Sequence, residues 1–261
     1  GVGRTQEPNV EQIVALKPDI ILFWGGYGAQ QADEIQQRTG VPVIALHTYT
    51  TIEGMEKSYR LMGKVLGLES RAEELLAYAR GKIDRISQRT SKITERPRVH
   101  LLFWFFWNGV SRIPIFYDPV DIAGGVNIAR GMDPNVYGYS VKVPVEQVVA
   151  WQPDFVFIHG YPAKPNVSVE TVLNDPRMKE TSAVKNRRVY YTLGMSSGWH
   201  YDRVLTETTY MAKLMHPGLF KDIDAKKEGD EIFQKFYGVP GLWTDYGNFE
   251  GWINYYARLG L

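Results

Sequence analysis

The chain has 261 residues, of which 44% are hydrophobic, and its 30 Lys and Arg residues nearly balance its 29 Asp and Glu residues, giving a formal net charge of +1. This balance argues against a nucleic-acid partner, which is normally held by a strong positive field. The lack of cysteine excludes disulfides, thiolate metal sites and a cysteine nucleophile. The sequence also contains no apolar run of the roughly 18 residues that a transmembrane helix needs.

An internal repeat organises the chain. Residues 11–25 read EQIVALKPDIILFWG and residues 146–160 read EQVVAWQPDFVFIHG, with seven of the fifteen positions identical. In each copy a short helix ends before Pro-Asp, and the apolar run that follows is typical of a strand covered on both faces of a parallel sheet. Further helix and strand patterns follow each copy, at 29–38 and 43–46 in the first and at 169–173, 182–185 and 189–193 in the second. This alternation predicts two related α/β lobes with mainly parallel sheets and right-handed crossovers.

Two helices are predicted between the repeat copies. Thr50 with Glu53, and Ser70 with Glu73, have the spacing of capping boxes that would open them. The second helix has an apolar face and is expected to run from Ser70 to about Thr94, long enough to join the lobes as one rod. The predicted division is an N-terminal lobe at 1–69, an interlobe helix at 70–95 and a C-terminal lobe at 96–261. Within the last unit we expect helices at 202–215 and 225–237 and an aromatic extension beyond Pro240.

The two lobes differ in what precedes the repeat. Only ten residues precede Glu11, whereas 47 residues separate the strand that starts at Val99 from Glu146. A first lobe made of the strands 20–24 and 43–46 alone would be a two-stranded sheet, which is too small to bury its own faces. We therefore expect that the first lobe lacks its opening segment in this chain and that the native protein also carried an export signal.

These features together resemble a known family. The segments Asn9–Ile21 (NVEQIVALKPDII) and Val145–Asp154 (VEQVVAWQPD) follow a pattern found in substrate-binding proteins of the bacterial ABC importers for ferric siderophores, haem and cobalamin. The Gly124–Asn127 segment, the long connecting helix, and Met211–Pro217 with Phe236–Gly238 are similar to the same family in the same order. The resemblance covers residues 1 to about 238.

The resemblance implies a fold and a role. The fold would be two Rossmann-like lobes joined by one long α-helix, with the ligand in the cleft between them. The role would be that of a solute-binding component of an ABC importer, without catalysis and without a resident cofactor, which delivers its ligand to a permease/ATPase complex. The family implies a periplasmic or extracellular, membrane-anchored location, and we expect a monomer.

The candidate ligand residues follow the predicted strands. Ligands of open α/β sheets lie beyond the carboxyl ends of the strands, and those ends are rich in aromatic and polar residues here. Aromatic faces with one or two cations suit a bulky, partly anionic chelate, so we expect an iron chelate, haem or a corrinoid, with no metal ligated directly by the protein. The candidates are Trp24, Gly25, Tyr27, His47, Tyr49, Trp107, His159, Tyr161, Ser197, Trp199, His200, Tyr201 and Arg203.

The sequence departs from the family pattern at the docking positions. Family members often present a surface Glu on each lobe to the permease. The matching position of the first lobe holds Gln30, with Asp33 and Glu34 nearby as weaker docking candidates. In the second lobe the expected Glu falls near Gly198.

Three alternatives remain open at this stage. Direct metal binding would need His47, His159 and His200 to converge across the cleft, since none of the five histidines forms a pair at ligand spacing within a helix. Arg203, the hydroxyls of Ser196 and Ser197, and the backbone N–H groups of a helix start near Asp202 are suited to a small oxyanion such as molybdate or tungstate. In a different class, Gly194-Met195-Ser196-Ser197-Gly198 matches the nucleophile elbow of a serine hydrolase between a strand and a helix. The hydrolase would need an acid and a histidine on later strands, and the repeat does not predict such strands.

Overall fold

The computed structural model describes residues 2–4, 7–24, 29–46, 51–103, 110–134, 140–159, 167–192 and 200–245. The strands are β1 (Gly3–Arg4), β2 (Glu7–Pro8), β3 (Ile21–Trp24), β4 (Val43–Leu46), β5 (Arg98–Phe103), β6 (Val110–Pro114), β7 (Val126–Asn127), β8 (Ser140–Pro144), β9 (Phe155–His159) and β10 (Val189–Thr192). The helices are α1 (Val10–Ala15), α2 (Ala29–Thr39), α3 (Ile52–Leu66), α4 (Glu69–Thr90), α5 (Asp118–Ile122), α6 (Val145–Ala150), α7 (Val169–Leu173), α8 (Ser182–Lys185), α9 (Tyr201–Met215) and α10 (Ala225–Tyr237).

The N-terminal lobe is built on a short parallel sheet. β3 pairs with β4 from Ile21 opposite Val43 to Trp24 opposite Leu46. Helix α2 covers one face of this pair, where Phe23 packs with Ala32 and Ile35 in a small core. Because side chains alternate along a strand, Leu22 points to the opposite face, and it is 51% exposed. The described sheet of this lobe therefore has two strands, as expected, and one of its faces is open at Leu22.

The C-terminal lobe holds the larger core. Its sheet has the order β10-β9-β5-β7, and every pairing in it is parallel. An antiparallel pair, β6 and β8, lies beside it. β9 is buried along its whole length, as its uninterrupted apolar sequence predicts. Helix α9 covers one face, where Tyr210 meets the ring of Phe157 edge-on at 6.4 Å between centroids.

The internal repeat is also a structural repeat. Each copy runs from a six-residue helix, α1 or α6, into a parallel strand, β3 or β9. Lys17 and Gln152, which are 135 positions apart, have left-handed φ angles of 48° and 47°. The bond from Ile21 N to Pro42 O, at 2.9 Å, has its counterpart in the bond from Val156 N to Arg188 O, at 3.0 Å. The agreement extends from sequence to backbone strain and sheet register, so two related lobes are confirmed.

A layer of four helices packs as one unit: α3 and α4 lie between the two sheets in the chain, and α9 and α10 follow β10. Its apolar cluster contains Met55 from α3, Leu76 from α4, Val204 from α9 and Phe233 from α10. The ion pairs of this layer join Arg80 to Glu56 at 2.6 Å, and Lys82 to Glu228 at 3.0 Å. The long helix is therefore not an isolated rod, because helices on either side along the chain pack against it. The division into lobes at 69, 70 and 95 stays a prediction.

Both predicted capping boxes were placed wrongly. Helix α3 is capped by Thr51, whose Oγ1 accepts from Gly54 N at 3.2 Å, one residue beyond the predicted cap. Helix α4 begins at Glu69 after Leu68, which makes no side-chain cap, so Ser70 lies inside the helix. The reason is the tight turn before α4: Gly67 ends α3 with a φ of 66°, and Leu68 N bonds back to Gly63 O at 2.7 Å. This turn leaves no room for a separate cap residue.

The long helix also ends earlier than predicted, at Thr90. The Thr90 hydroxyl donates to Ile122 O at 2.8 Å and so holds the last turn against α5. Among the helices that the structure describes, none combines the length and apolarity needed to cross a membrane.

Candidate functional site

The parallel strands end together at the edge where the sequence places the ligand. Trp24 and Leu46 are the last paired residues of β3 and β4. His159 is the last residue of β9 and pairs with Thr192 of β10 on one side and Phe103 of β5 on the other. In open α/β sheets this carboxyl edge is where ligands bind. The candidate site is therefore the carboxyl edge of each sheet, together with the start of the helix that follows β10.

Most of the predicted ligand residues lie outside the described part of the chain. His159, His200, Tyr201 and Arg203 are described, and of Trp24 only the backbone is. The predicted residues outside it are Gly25, Tyr27, His47, Tyr49, Trp107, Tyr161, Ser197 and Trp199. Their contacts with a ligand, and the predicted meeting of Trp24 and Tyr27 with Trp199, His200 and Arg203, stay predictions.

His159 is anchored in a buried group of polar side chains. It is 5% exposed, and its Nδ1 lies 3.1 Å from Thr192 Oγ1 and 3.3 Å from the Tyr117 hydroxyl. Its ring meets that of Tyr117 edge-on at a centroid distance of 5.8 Å. Burial lowers the pKa of His159 to about 4, so the imidazole is neutral at pH 7. The neutral ring is thus fixed at the end of β9 by two hydroxyls.

Sequence reasoning missed the carboxylate beside this histidine. Glu207 of α9 is completely buried, and its Oε1 lies 4.0 Å from His159 Nδ1. Neither of its oxygens makes a well-formed hydrogen bond with the described residues. Burial raises the pKa of Glu207 to about 7, although the nearby hydroxyls of Tyr117 and Thr192 and the charge of Arg203 act in the opposite direction. We call Tyr117, His159, Thr192 and Glu207 the carboxyl-end cluster.

The start of α9 places three titratable side chains near this cluster. His200 is exposed, Arg203 is partly buried, and Asp202 between them is only 1% exposed. Burial raises the pKa of Asp202, and the charges of His200 and Arg203 partly offset that rise. Arg203 lies one helical turn before Glu207, so both project from the same face of α9. The first turn of α9 therefore carries a cation within electrostatic reach of the buried Glu207.

Tyr201 has a different position from the other described candidates. It is completely buried in the helix layer, where its ring meets those of Tyr59 at 5.6 Å and Phe236 at 6.3 Å. Its ring is held by packing, its hydroxyl has no hydrogen-bond partner among the described residues, and the predicted ligand contact stays a prediction.

A hydrogen bond ties the start of α3 to the C-terminal lobe near the cluster. Ile52 N donates to Asp118 Oδ2 at 2.7 Å, and Asp118 follows Tyr117 directly in the chain. Thr51 caps the same helix end through Gly54 N. The start of α3 is thereby fixed against the segment that carries Tyr117.

Direct metal binding has no support among the residues described. No group of three or more His, Asp or Glu side chains in that part of the chain is arranged to hold a metal ion. His100 lies in the core, with Nε2 3.1 Å from Ser111 Oγ, and burial lowers its pKa to about 3. His216 lies 3.2 Å from Gly124 O through Nε2. His100 and His216 therefore each have a separate structural partner.

The predicted docking residues lie on the outer side of α2. Asp33 and Glu34 are both exposed, and Gln30 Nε2 donates to Glu34 Oε1 at 3.0 Å. Glu34 also borders a shallow cavity of about 300 Å³ between β2 and α2. Its lining residues are Glu7, Pro8, Gln31, Glu34, Ile35 and Arg38.

Comparison with known proteins decides the family. A model of the family described as "Periplasmic binding protein" matches residues 1–193. The chain belongs to the periplasmic binding protein family. This periplasmic binding protein is 22% identical over 258 residues to the molybdate-binding protein MolA of Haemophilus influenzae, covering 90% of this chain and 71% of MolA. It is 24% identical over 216 residues to the high-affinity heme uptake system protein IsdE of Staphylococcus aureus, covering 79% of this chain and 72% of IsdE.

Solved structures show the same fold. The structure of Haemophilus influenzae MolA bound to molybdate matches with a TM-score of 0.74 and 19% identity, covering 92% of this periplasmic binding protein and 78% of MolA. Helicobacter pylori CeuE, in a Ni-His complex, matches with a TM-score of 0.73 and 21% identity, covering 91% of this chain and 74% of CeuE. The predicted fold class, two Rossmann-like lobes joined by a long helix, is confirmed.

The hydrolase alternative rests on residues outside the described part of the chain. The Gly194–Gly198 segment lies between β10 and α9, so its strand-to-helix context is as the motif requires. Family membership instead groups this periplasmic binding protein with solute-binding relatives.

Proposed function

We propose that this periplasmic binding protein is the solute-binding component of an ABC importer, which captures a small ligand outside the cytoplasm and passes it to a permease/ATPase complex without catalysis. The observation that carries the proposal is the carboxyl edge of β9 and β10. There His159, fixed by the hydroxyls of Thr192 and Tyr117, lies beside α9, which His200 precedes and whose first turn contains Arg203. This edge is the ligand-binding edge of open α/β sheets.

The ligand class that fits the chain is a metal chelate: a ferric siderophore, haem or a corrinoid. The support is the sequence of the strand ends, where Trp24, Tyr27, Trp107, Tyr161 and Trp199 supply aromatic faces for a bulky ligand. Relatives named for heme uptake are consistent with this class.

An oxyanion is the second candidate, and a specific observation favours it. Arg203 and the start of the fifteen-residue helix α9 offer a cation and the positive end of a helix dipole at the same edge. The relative MolA is named for molybdate. A molybdate or tungstate ion is the expected cargo in that case.

Calorimetry of the purified protein tests the proposal. We expect tight binding of one of four ligands: haem, cyanocobalamin, a ferric tris-catecholate chelate or molybdate. Native mass spectrometry of fresh protein should show the same ligand when it co-purifies. A chromogenic ester should not be hydrolysed. Failure of every ligand to bind, or esterase activity that disappears in Ser196→Ala, would contradict the proposed function.

Two substitutions locate the site. Trp24→Ala and Arg203→Ala should each weaken binding by about 2 kcal/mol or more, because truncating a desolvated anchor typically costs that amount. Arg71→Ala on α4 is the matched control, since Arg71 bonds to Glu74 and Lys235 O in the helix layer. Normal binding by both test variants would place the site elsewhere.

Asp33 and Glu34 are proposed to contact the permease, because both are exposed on α2. Charge reversal of both residues should slow uptake in cells while leaving ligand affinity in solution unchanged.

A further inference from the structure

The carboxyl-end cluster contains a buried carboxyl group, that of Glu207, which the proposed function does not explain. Glu207 is completely buried and projects from α9 toward the ends of β9 and β10. The imidazole of His159, whose Nδ1 lies 4.0 Å from Glu207 Oε1, is neutral at pH 7 and supplies no positive charge. Among the residues that the structure describes, the titratable and charged groups that face Glu207 are His159 on β9, Tyr117 before α5, and Arg203 on its own helix. A buried carboxylate without a close cation is costly, because burial disfavours the charged form.

Arg203 is the group that links Glu207 to the ligand. Its positive charge stabilises the carboxylate of Glu207 from one turn away on α9. The same guanidinium lies at the helix start, where the proposed ligand would bind. An anion that pairs with Arg203 would neutralise the positive charge that stabilises the Glu207 carboxylate. It would also repel that carboxylate, because the protein interior between them has a low dielectric constant.

We propose that Glu207 is a specificity-determining residue that couples capture of an anionic ligand to the uptake of a proton by the carboxyl-end cluster. This inference rests on the proposed function and narrows its ligand class to anions: molybdate, haem through its propionates, or a ferric tris-catecholate. Protonation removes the negative charge that would repel the anion. A neutral ligand would leave the protonation state of Glu207 unchanged.

The sign of the pH effect follows from linkage. In the free protein the pKa of Glu207 is about 7, so the carboxyl group is largely protonated at pH 6 and largely ionised at pH 8. An anion that raises this pKa binds most tightly where the proton is already present, and affinity is lost as pH rises through 7. If the bound state stays protonated throughout, the dissociation constant rises up to about tenfold between pH 6 and pH 8.

Calorimetry at pH 6, 7 and 8 tests this coupling, with molybdate, haem, the ferric tris-catecholate and, as the neutral ligand, cyanocobalamin. At pH 7, paired titrations in PIPES and Tris, which differ in heat of ionisation, count the protons taken up. The wild type should take up a fraction of a proton with each anion and should bind more weakly as pH rises. Glu207→Gln, which keeps the shape and stays neutral, should take up no proton and show no loss of anion affinity from pH 6 to pH 8.

Glu228→Gln is the matched control. Glu228 is also a buried glutamate, 8% exposed, but it lies on α10 and pairs with Lys82 and Arg85. Removing its charge should leave proton uptake and the pH dependence of binding as in the wild type.

The outcomes separate the two proposals. Anion binding without proton uptake, or a pH dependence that survives in Glu207→Gln, would overturn the coupling and leave the importer function standing. Binding of cyanocobalamin alone would do the same, since the ligand is then neutral. Failure of every probe at every pH would contradict the proposed function and the coupling with it.

Discussion

At the scale of single residues, the repeat carries the same backbone strain twice. Lys17 and Gln152 both follow the short helix of their repeat copy and both have positive φ angles, 48° and 47°. Residues other than glycine are disfavoured in this region because Cβ approaches the backbone carbonyl oxygen. Retention of a side chain in both copies shows that the turn into the Pro-Asp strand start is imposed by the fold around it.

This strain predicts a stabilising substitution. Lys17→Gly should raise the free energy of unfolding by about 0.5–1 kcal/mol, since relief of left-handed strain outweighs the added freedom of the unfolded chain. Gln152→Gly should gain less, because the side chain of Gln152 donates to Val149 O at 2.9 Å. Urea unfolding measures both.

The neighbouring residue provides the control for this substitution. Leu16 has right-handed φ and ψ angles of −76° and −13° and is 70% exposed, so Leu16→Gly removes little packing. It should lower stability by about 0.5–1 kcal/mol. A loss of stability in Lys17→Gly as large as that in Leu16→Gly would show that the Lys17 backbone is not strained.

Residue-level function was only partly accessible from the sequence. His159 was selected because it ends an apolar strand, and the structure places it at the carboxyl edge with Thr192 and Tyr117. Glu207 was missed because a glutamate in a helix is usually solvated. The available signal was its setting: twelve of the fifteen residues of α9 are buried, so a charged residue inside that helix has little chance of reaching water. Tyr201 is buried against Tyr59 in the helix layer, which the sequence did not predict, and its contact with a ligand stays a prediction.

At the scale of secondary-structure elements, glycines mark where helices approach one another. Gly63 of α3 lies so near α4 that a Cβ would come within 2.8 Å of Ala72 Cβ. On α10, a Cβ at Gly229 would overlap the indole of Trp243, which is 2% exposed and packs on Phe233 at 5.3 Å. A Cβ at Gly81 of α4 would meet nothing within 4 Å.

Gly81 and Gly229 give opposite predictions for substitution by alanine. Gly81→Ala should stabilise the protein by about 0.5–1 kcal/mol, the gain in helix propensity. Gly229→Ala should destabilise it by about 1–3 kcal/mol, because the buried indole has to move. Thermal and urea unfolding should agree on the order of the three proteins. Equal stabilisation by both substitutions would show that Trp243 does not pack against α10 as described.

Element boundaries were predictable where local sequence decides them. The helix at 225–237 and the strand at 43–46 were predicted to the residue, since Asp224 caps the former and Gly238 ends it with a φ of 74°. The predicted start of α4 was wrong because the turn from α3 is fixed by the contact of Gly63 with α4. A capping motif in the sequence does not reveal such a tertiary contact.

At the scale of the whole molecule, the two repeats use equivalent helices differently. Helix α9 follows β10 and covers its own sheet, so Phe157 is completely buried. Helix α3 follows β4 at the corresponding place, but its residues Met55 and Tyr59 pack with α4, α9 and α10 instead. Leu22, the repeat counterpart of Phe157, is 51% exposed. The repeat therefore predicts the order of helices and strands in each lobe. It does not predict whether a helix packs on its own sheet or in the helix layer, because that depends on surfaces distant in sequence.

Packing of α3 and α4 against the C-terminal lobe predicts how the molecule moves. The apolar helix layer, the ion pair between Arg89 and Asp222 at 2.6 Å and the bond from Ile52 N to Asp118 should keep these helices fixed to that lobe when ligand binds. Any closure should then occur between residues 7–46 and the rest, with α4 unbent. Small rigid-body shifts of this kind suit a single helical connection rather than a large hinge.

Pulsed electron–electron double resonance can measure this directly, because this sequence contains no cysteine and introduced labels are unique in it. A pair at Lys64→Cys on α3 and Lys227→Cys on α10, both exposed in the structure, should keep its distance within about 2 Å when ligand is saturating. A second pair, at Gln37→Cys on α2 and Lys227→Cys, should show any change in distance that ligand binding produces. Movement of several ångströms between Lys64 and Lys227 would mean that the helix layer separates on binding and that α3 belongs dynamically to the N-terminal lobe.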